Sequence, residues 1–481
     1  MQIFPQQVYL HGSGKLPEYV YSVDISEKFT DGIERVATGG ADPIARVWSV
    51  DSDSVLTIRS ELIGHSRGVN CVRFSPKTGE ILATASDDGQ VLLWKLGACT
   101  GQVFGSDVSI ESWNAVKKLN CLDEITHLSW APDSSQIACS LQREMSIIFD
   151  VLSGRPIQRL DGHNGRVHGI AWDPLNEYIA SHSSDRSVRV YSRTKKKKSA
   201  WFAKAQFREL PPSREEVEAG KKASKLFMSE SHFSADPTSH FFRRLEFSPD
   251  GSTLAAPGGL AGDNFSCVFF ARQNFFSGAA PVASLPTADS PCVAVRFHPR
   301  RFLASSGDEF FIFAVVCVHC VMVCSSRQAR PLALVADLHC TSVLDAAWNA
   351  DATLLALVSS DGYATLLRFE RGELGGLPME AVQQDVIMES TTPEVKEAPL
   401  PIAEVKSDGS KRRKVIPVLV GYNLFSYSLR NLTLGYTFEL CPVLPRVMMT
   451  FMSCPEFANT IVLSLVTHTC ARRRNMGYRS R

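Results

Sequence analysis

The chain is predicted to be all-β: a seven-bladed β-propeller followed by a disordered acidic and basic C-terminal extension. Two observations predict this. A strand-like run ending in an aromatic or apolar residue occurs seven times, as VYSVDIS, VNCVRFSP, ITHLSWAPD, VHGIAWDP, FRRLEFSPDG, VAVRFHP and VLDAAWNAD. Each is followed by a second apolar run such as RVATGG, ILATASDDG or YIASHSSD, and four of these lead to a third run ending in an aromatic: ARVW, VLLW, SIIF and VRVY. Short alternating strands joined by Asp, Gly and Ser turns at intervals of roughly 40–50 residues are the mark of propeller blades. One blade cannot bury both of its faces, whereas seven stacked around an axis cover every inner face and leave only short edges.

Composition agrees with such a repeat. At 481 residues the chain is far longer than the roughly 150 of one ordinary domain, and 44% apolar content supplies a large core. With 51 basic and 50 acidic residues, the net charge of +1 gives no long-range attraction to DNA or an anionic membrane. The first nine residues lack a secretory pattern. The longest apolar run, Phe310 to Cys324, is interrupted by His319 and falls short of the roughly 20 residues of a membrane helix. Thirteen cysteines without framework spacing suit reduced, buried thiols in an intracellular compartment.

The expected propeller spans 6–373, and its turns carry a recurring constellation. Gly64-His65 and Gly162-His163 precede the second and fourth copies, and Asp42, Asp88 and Asp185 each stand six residues before an aromatic, at Trp48, Trp94 and Tyr191. This pattern resembles the WD40 family. The resemblance implies a buried chain of histidine, strand hydroxyl, turn aspartate and aromatic, with Thr84 or Ser86 as the hydroxyl in the second blade and Ser183 or Ser184 in the fourth. A buried carboxylate needs donors, so these groups are read as structural rather than catalytic. In the third blade Arg143 occupies the aspartate position before Phe149.

The segment 194–239 reads as a charged, loop-like insertion. Its run Lys195 to Lys198 is either a solvated charge cluster or an import or phosphate contact. The sixth blade lacks a turn aspartate. Its Cys317, Cys320 and Cys324 have no second pair at metal-binding spacing, and are read as apolar strand residues. No cofactor or metal is expected. His11-Gly-Ser-Gly-Lys15 has the wrong glycine spacing for a phosphate loop, and Leu16 replaces the required hydroxyl, so it is read as a turn.

From Val20 to Gly375 the wording is similar to the WD-repeat subunits of chromatin assembly factor 1 and of Hir-type histone chaperones. PEYVYSVDIS, SHFFRRLEFSPDGSTLAAPGG and VLDAAWNADATLLALVSSDGYATLLRFERGELG carry the likeness. It implies a non-enzymatic nuclear scaffold for assembling histones H3 and H4 onto newly replicated or repaired DNA, with the large subunit of chromatin assembly factor 1 as partner. The histones are bound directly or through that subunit.

Beyond the repeat, 374–410 reads as an acidic flexible linker; Glu380 to Asp408 holds seven acidic residues and two lysines. It runs into 411–420, where the basic cluster Lys411, Arg412, Arg413 and Lys414 precedes Val415, Ile416, Pro417, Val418 and Leu419. This resembles the B-type motif by which these families dock on the anti-silencing histone chaperone. An extended apolar peptide adds to a sheet edge through its backbone while alternate side chains enter pockets. The same basic cluster suffices as an import signal, and the two roles are compatible. The tail 421–481 is unassigned.

Two other function classes lack their sequence marks. For an enzyme, no nucleophile elbow, metal-ligand helix or catalytic carboxylate pair is recognisable. A WD40 substrate receptor of a ubiquitin ligase is the other alternative. That class commonly carries Trp-Asp-x-Arg after a third strand, where this chain has Trp48-Ser-Val-Asp, Trp94-Lys-Leu-Gly, Phe149-Asp-Val-Leu and Tyr191-Ser-Arg-Thr.

Overall fold

A computed structural model describes residues 1–379 apart from 7–9, 12–16, 28, 30, 77–78, 98–110, 194–199, 211–223, 230–240, 263, 276–279 and 288–289, together with 462–464. Its strands build seven antiparallel blades. Blade 1 comprises Val20–Ile25, Arg35–Gly40, Ile44–Val50 and Leu56–Ile63. Blade 2 comprises Val69–Phe74, Ile81–Ser86, Gln90–Leu96 and Trp113–Asn120. Blade 3 has Ile125–Trp130, Gln136–Leu141, Ser146–Asp150 and Pro156–Leu160, and blade 4 has Val167–Trp172, Tyr178–Ser183, Ser187–Arg193 and Trp201–Phe207. Blade 5 runs from Glu246–Phe247 through Thr253–Ala261 and Asn264–Ala271 to Ala283–Pro286. Blade 6 contains Cys292–Phe297, Ile312–Cys317, Cys320–Ser325 and Ala333–Ala336, with Val462–Ser464 parallel to the last. In blade 7, Val343–Trp348, Leu354–Ser359 and Ala364–Arg368 are followed at the outer edge by Gln2–Pro5.

The first strand of each blade lies innermost and touches that of the next, closing a ring from blade 1 through blade 7. Position in the blade decides the sequence pattern. An inner strand such as Val69–Phe74 is buried along nearly its whole length, whereas outer Trp113–Asn120 buries only Trp113 and Leu119 and presents Asn114, Ala115, Val116, Lys118 and Asn120 to solvent. In six inner strands the register slips at the second residue, at Tyr21, Asn70, Thr126, His168, Val293 and Leu344. A bulge adds local twist, and its recurrence at one place gives six of the blades the same local bend. Apolar clusters fill the seams. Between blades 4 and 5, Phe275 meets Tyr178 edge-on at 5.2 Å and packs with Phe207, Phe247 and Phe270. Each fully buried side chain of this size contributes roughly 1.5–3 kcal/mol.

The structure moves three expected boundaries. The propeller begins before residue 6, because Gln2–Pro5 pairs with Thr365–Arg368 and joins the chain's start to its last blade. It also runs past 373: Leu374 is buried and Leu377–Pro378 pairs with Phe302–Leu303, so the segment from 374 does not begin as linker. The region 194–239 is not simply a loop. It holds the outer strand of blade 4, Trp201–Phe207, whose terminal aromatics are buried, and a short pairing of Glu209–Leu210 with Ser224–Lys225. The sixth blade is regular despite its missing aspartate, and the apolar run Phe310 to Cys324 forms most of its second and third strands.

Candidate functional site

The blade turns set how rigid any surface on the ring is. In blade 2, His65 Nδ1 lies 3.0 Å from Asp88, His65 Nε2 2.7 Å from Thr84 Oγ1, and Trp94 Nε1 2.9 Å from the same hydroxyl. Burial lowers the His65 pKa, so the ring is neutral near pH 7. Its Nδ1–H donates to the carboxylate, its Nε2 accepts from Thr84, and Thr84 accepts from Trp94, leaving every group satisfied. Gly64 precedes His65 because a Cβ there would stand 2.8 Å from Leu92 and 3.0 Å from Trp94. Blade 4 repeats the arrangement, with His163 3.0 Å from Asp185 and 2.8 Å from Ser181. The hydroxyls sort by position. Thr84 and Ser181, four residues before the aspartate, join the chain, whereas Ser86 and Ser183 accept the aspartate's own amide and close the turn. Tyr191 differs from the tryptophans in reaching the Asp161 carbonyl at 3.4 Å.

Two histidines of this kind escape sequence reasoning. His11 supplies blade 1: it lies 2.5 Å from Asp42 and 2.9 Å from Thr38, which accepts from Trp48 at 2.9 Å. The residue assigned to an unremarkable turn is thus the buried partner of Asp42. In blade 7, His339 approaches Asp361 at 3.1 Å, but Leu357 and Leu367 stand where the hydroxyl and aromatic would be. The matching 22-residue spacing of His163–Asp185 and His339–Asp361 was the available signal. In blade 3, Arg143 pairs with Asp123, and Cys121 and Cys139 stand where the histidine and hydroxyl would be.

Burial alone would raise the Asp42 carboxyl, but the His11 ring and the Arg46 guanidinium, 2.6 Å away, hold it at about 2. A folded-state pKa below the unfolded value of 3.8 contributes stability that is complete above about pH 4 and is lost as pH falls through 2. Asp42→Asn is therefore expected to cost about 2 kcal/mol near neutrality, a deficit that vanishes toward about pH 2. Urea unfolding of both proteins across that range checks this; a pH-independent deficit would contradict it.

The axis holds a second network, built from five blades. Asp345 of blade 7 is fully buried. One oxygen accepts from Arg296 Nε at 2.9 Å and Nη2 at 2.7 Å; the other accepts from Arg73 at 3.0 Å and Ser22 at 3.0 Å. Arg244 of blade 5 lies 3.8 Å from the same carboxylate and donates to the carbonyls of Leu344, Tyr21 and Asn70. Around this knot, neighbouring blades are stitched near the ends of their inner strands. Asp24 accepts from the Phe74 amide at 2.7 Å, Ser129 from Trp172 at 3.0 Å and Glu246 from Phe297 at 2.6 Å. Trp130 and Trp348 donate to the Arg73 and Arg296 carbonyls, each at 3.1 Å. Burial pushes Asp24 up to about 6 and Glu246 up to about 8.

Other motifs occupy ordinary positions. Cys317, Cys320 and Cys324 lie buried in blade 6, with Cys317 opposite Cys292, and burial raises the Cys317 and Cys324 thiols well above their usual range. Among the described residues, no group of three or more His, Cys, Asp or Glu side chains is placed to hold a metal ion. The run Lys195 to Lys198, the acidic stretch from 380, and the motif from Lys411 to Leu419 lie outside the described residues, as does the tail except for 462–464.

Comparison with known proteins gives this ring its relatives. A sequence profile of the CAF1B/HIR1 beta-propeller domain matches residues 11–374. The CAF1B-type subunit of chromatin assembly factor 1 from Mus musculus is 32% identical over 427 residues, covering 82% of this chain and 71% of its own length. The chromatin assembly factor 1 subunit FAS2 homolog of Oryza sativa subsp. japonica is 33% identical, covering 79% of this chain and 77% of its own length. Protein HIR1 of Kluyveromyces lactis is 30% identical over 75% of this chain, a match that spans 42% of that relative.

Proposed function

This chain belongs to the CAF1B/HIR1 β-propeller family, and from that membership we propose that it is a non-enzymatic scaffold subunit of a nuclear histone chaperone complex. In this reading it helps place histones H3 and H4 on newly replicated or repaired DNA, and its propeller binds the large subunit of chromatin assembly factor 1. The segment Lys411 to Leu419 docks the anti-silencing histone chaperone.

The observation that carries the reading is the likeness to the CAF1B-type subunit of chromatin assembly factor 1 across most of the chain. The physical character of the ring supports it. Arg73, Arg244, Arg296 and Asp345 are committed to holding blades together, which suits a rigid platform. The abrupt change from acidic to basic sequence at Lys411, followed by an aliphatic run, supports a docking peptide, because a cationic cluster beside apolar residues can meet partner carboxylates and pockets together. A Hir-type, replication-independent subunit is the second reading, favoured by the 30% identity with the Kluyveromyces lactis protein.

Affinity purification from dividing cells tests the proposal. Recovery of the large subunit together with H3 and H4 is expected. Reproducible recovery of ubiquitin-ligase adaptors without histones would overturn it.

A further inference from the structure

We propose that the mouth of the axial channel, on the face where the inner strands end, binds the side chain of a lysine or arginine carried by a partner polypeptide. The site is a cavity of about 220 Å³ between blades 1, 2, 5, 6 and 7. That is below the roughly 300 Å³ at which small-molecule pockets begin, and it suits one long side chain. Phe74, Phe297 and Trp348 contribute apolar wall, the surface a lysine or arginine stem covers while its charged head seeks polar partners.

The charged walls decide the sign of the ligand. Arg73 and Arg296 line the cavity but are already bonded to Asp345 beneath it. Glu27, at the rim, pairs with Arg300 at 3.3 Å. Asp24 and Glu246 are different: both are half-buried, both face the cavity, and their hydrogen bonds come from backbone amides, with no cation among the described residues within ion-pair distance. A carboxylate offers about four lone-pair positions, so each retains acceptor capacity directed at the cavity. An ammonium or guanidinium head seated there would be compensated by two carboxylates that burial now holds in partly protonated form, at about 6 and about 8. Its entry lowers both and expels protons, so binding strengthens as pH rises through that window. The other charged groups facing the seat, Glu27, Arg73, Arg296 and Asp345, keep their present partners.

The test uses the full chain and a labelled glycine–serine peptide bearing one central lysine, with its Nε-acetyl-lysine form as control. No histone or chaperone is present, so its outcome is separate from that of the scaffold reading. At about pH 8 the lysine peptide should bind about tenfold more tightly than the acetylated one, and the preference should shrink toward about pH 6. Asp24→Asn with Glu246→Gln should abolish the preference while leaving the unfolding midpoint no lower, because amide oxygens still accept the Phe74 and Phe297 amides. Glu246→Gln alone should lose part of it. Replacing Lys411, Arg412, Arg413 and Lys414 by Ala should leave peptide affinity unchanged; a gain would show that the chain's own basic segment occupies the seat, contradicting a partner ligand. Equal binding of the two peptides, or a preference that survives the double substitution, would overturn the proposal.

Discussion

Replacing Asp345 by Ala should destabilise the propeller by about 3–5 kcal/mol, the cost of removing one partner from a buried ion pair. The carboxylate is the only acidic side chain bonded to Arg73 and Arg296 among the described residues, and it lies 3.8 Å from Arg244. Without it, three guanidinium groups from blades 2, 5 and 6 share the channel with no anion at their centre, and Ser22 loses its acceptor. Asp345→Asn should cost nearly as much, because the amide keeps the shape but removes the charge. Arg73→Met should cost less, since Arg296 still neutralises Asp345. Denaturant midpoints of the three variants check the ranking; an Asp345→Asn protein as stable as wild type would contradict the charge argument.

What the sequence disclosed and what it hid follow from how local each feature is. Inner strands were legible because burial writes an apolar run into every copy, ending in an aromatic in six of the seven, from Phe74 to Trp348, and in Ile25 in the first. The blade 2 and blade 4 chains were legible because Gly-His, aspartate and aromatic recur at nearly fixed spacing. His11 was hidden: it follows Leu10 and stands 31 residues from Asp42, against 23 for His65–Asp88. His339 was hidden because its blade lacks the aromatic that draws attention to the pattern. The outer strand Trp201–Phe207 was lost beside a lysine run, although its alternation with buried end aromatics is a strand signal. The axial network had no local signature, for its members come from five blades and Ser22 meets Asp345 across 323 residues. Closure by Gln2–Pro5 was equally invisible, because a four-residue edge strand is specified by the partner it meets.

Aspartate at Val415, Ile416 and Leu419 should abolish docking on the anti-silencing chaperone. If the segment adds as an edge strand, Val415, Pro417 and Leu419 share one face and Ile416 and Val418 the other, so the triple change places charge on both. Each unpaired carboxylate driven into an apolar contact costs several kcal/mol, and three together reduce affinity by more than about 100-fold. Arg412 and Arg413 act differently. Replacing them with Ala should weaken binding most at low salt, where their attraction to partner carboxylates is least screened, and should also slow nuclear import. Import should survive the apolar substitutions. The most direct measurement is a titration of purified anti-silencing chaperone against the wild-type 407–420 peptide and its triple-aspartate form, with no import machinery present. Saturable binding of the wild-type peptide and none of the variant is the predicted result; equal affinities would contradict docking through this segment.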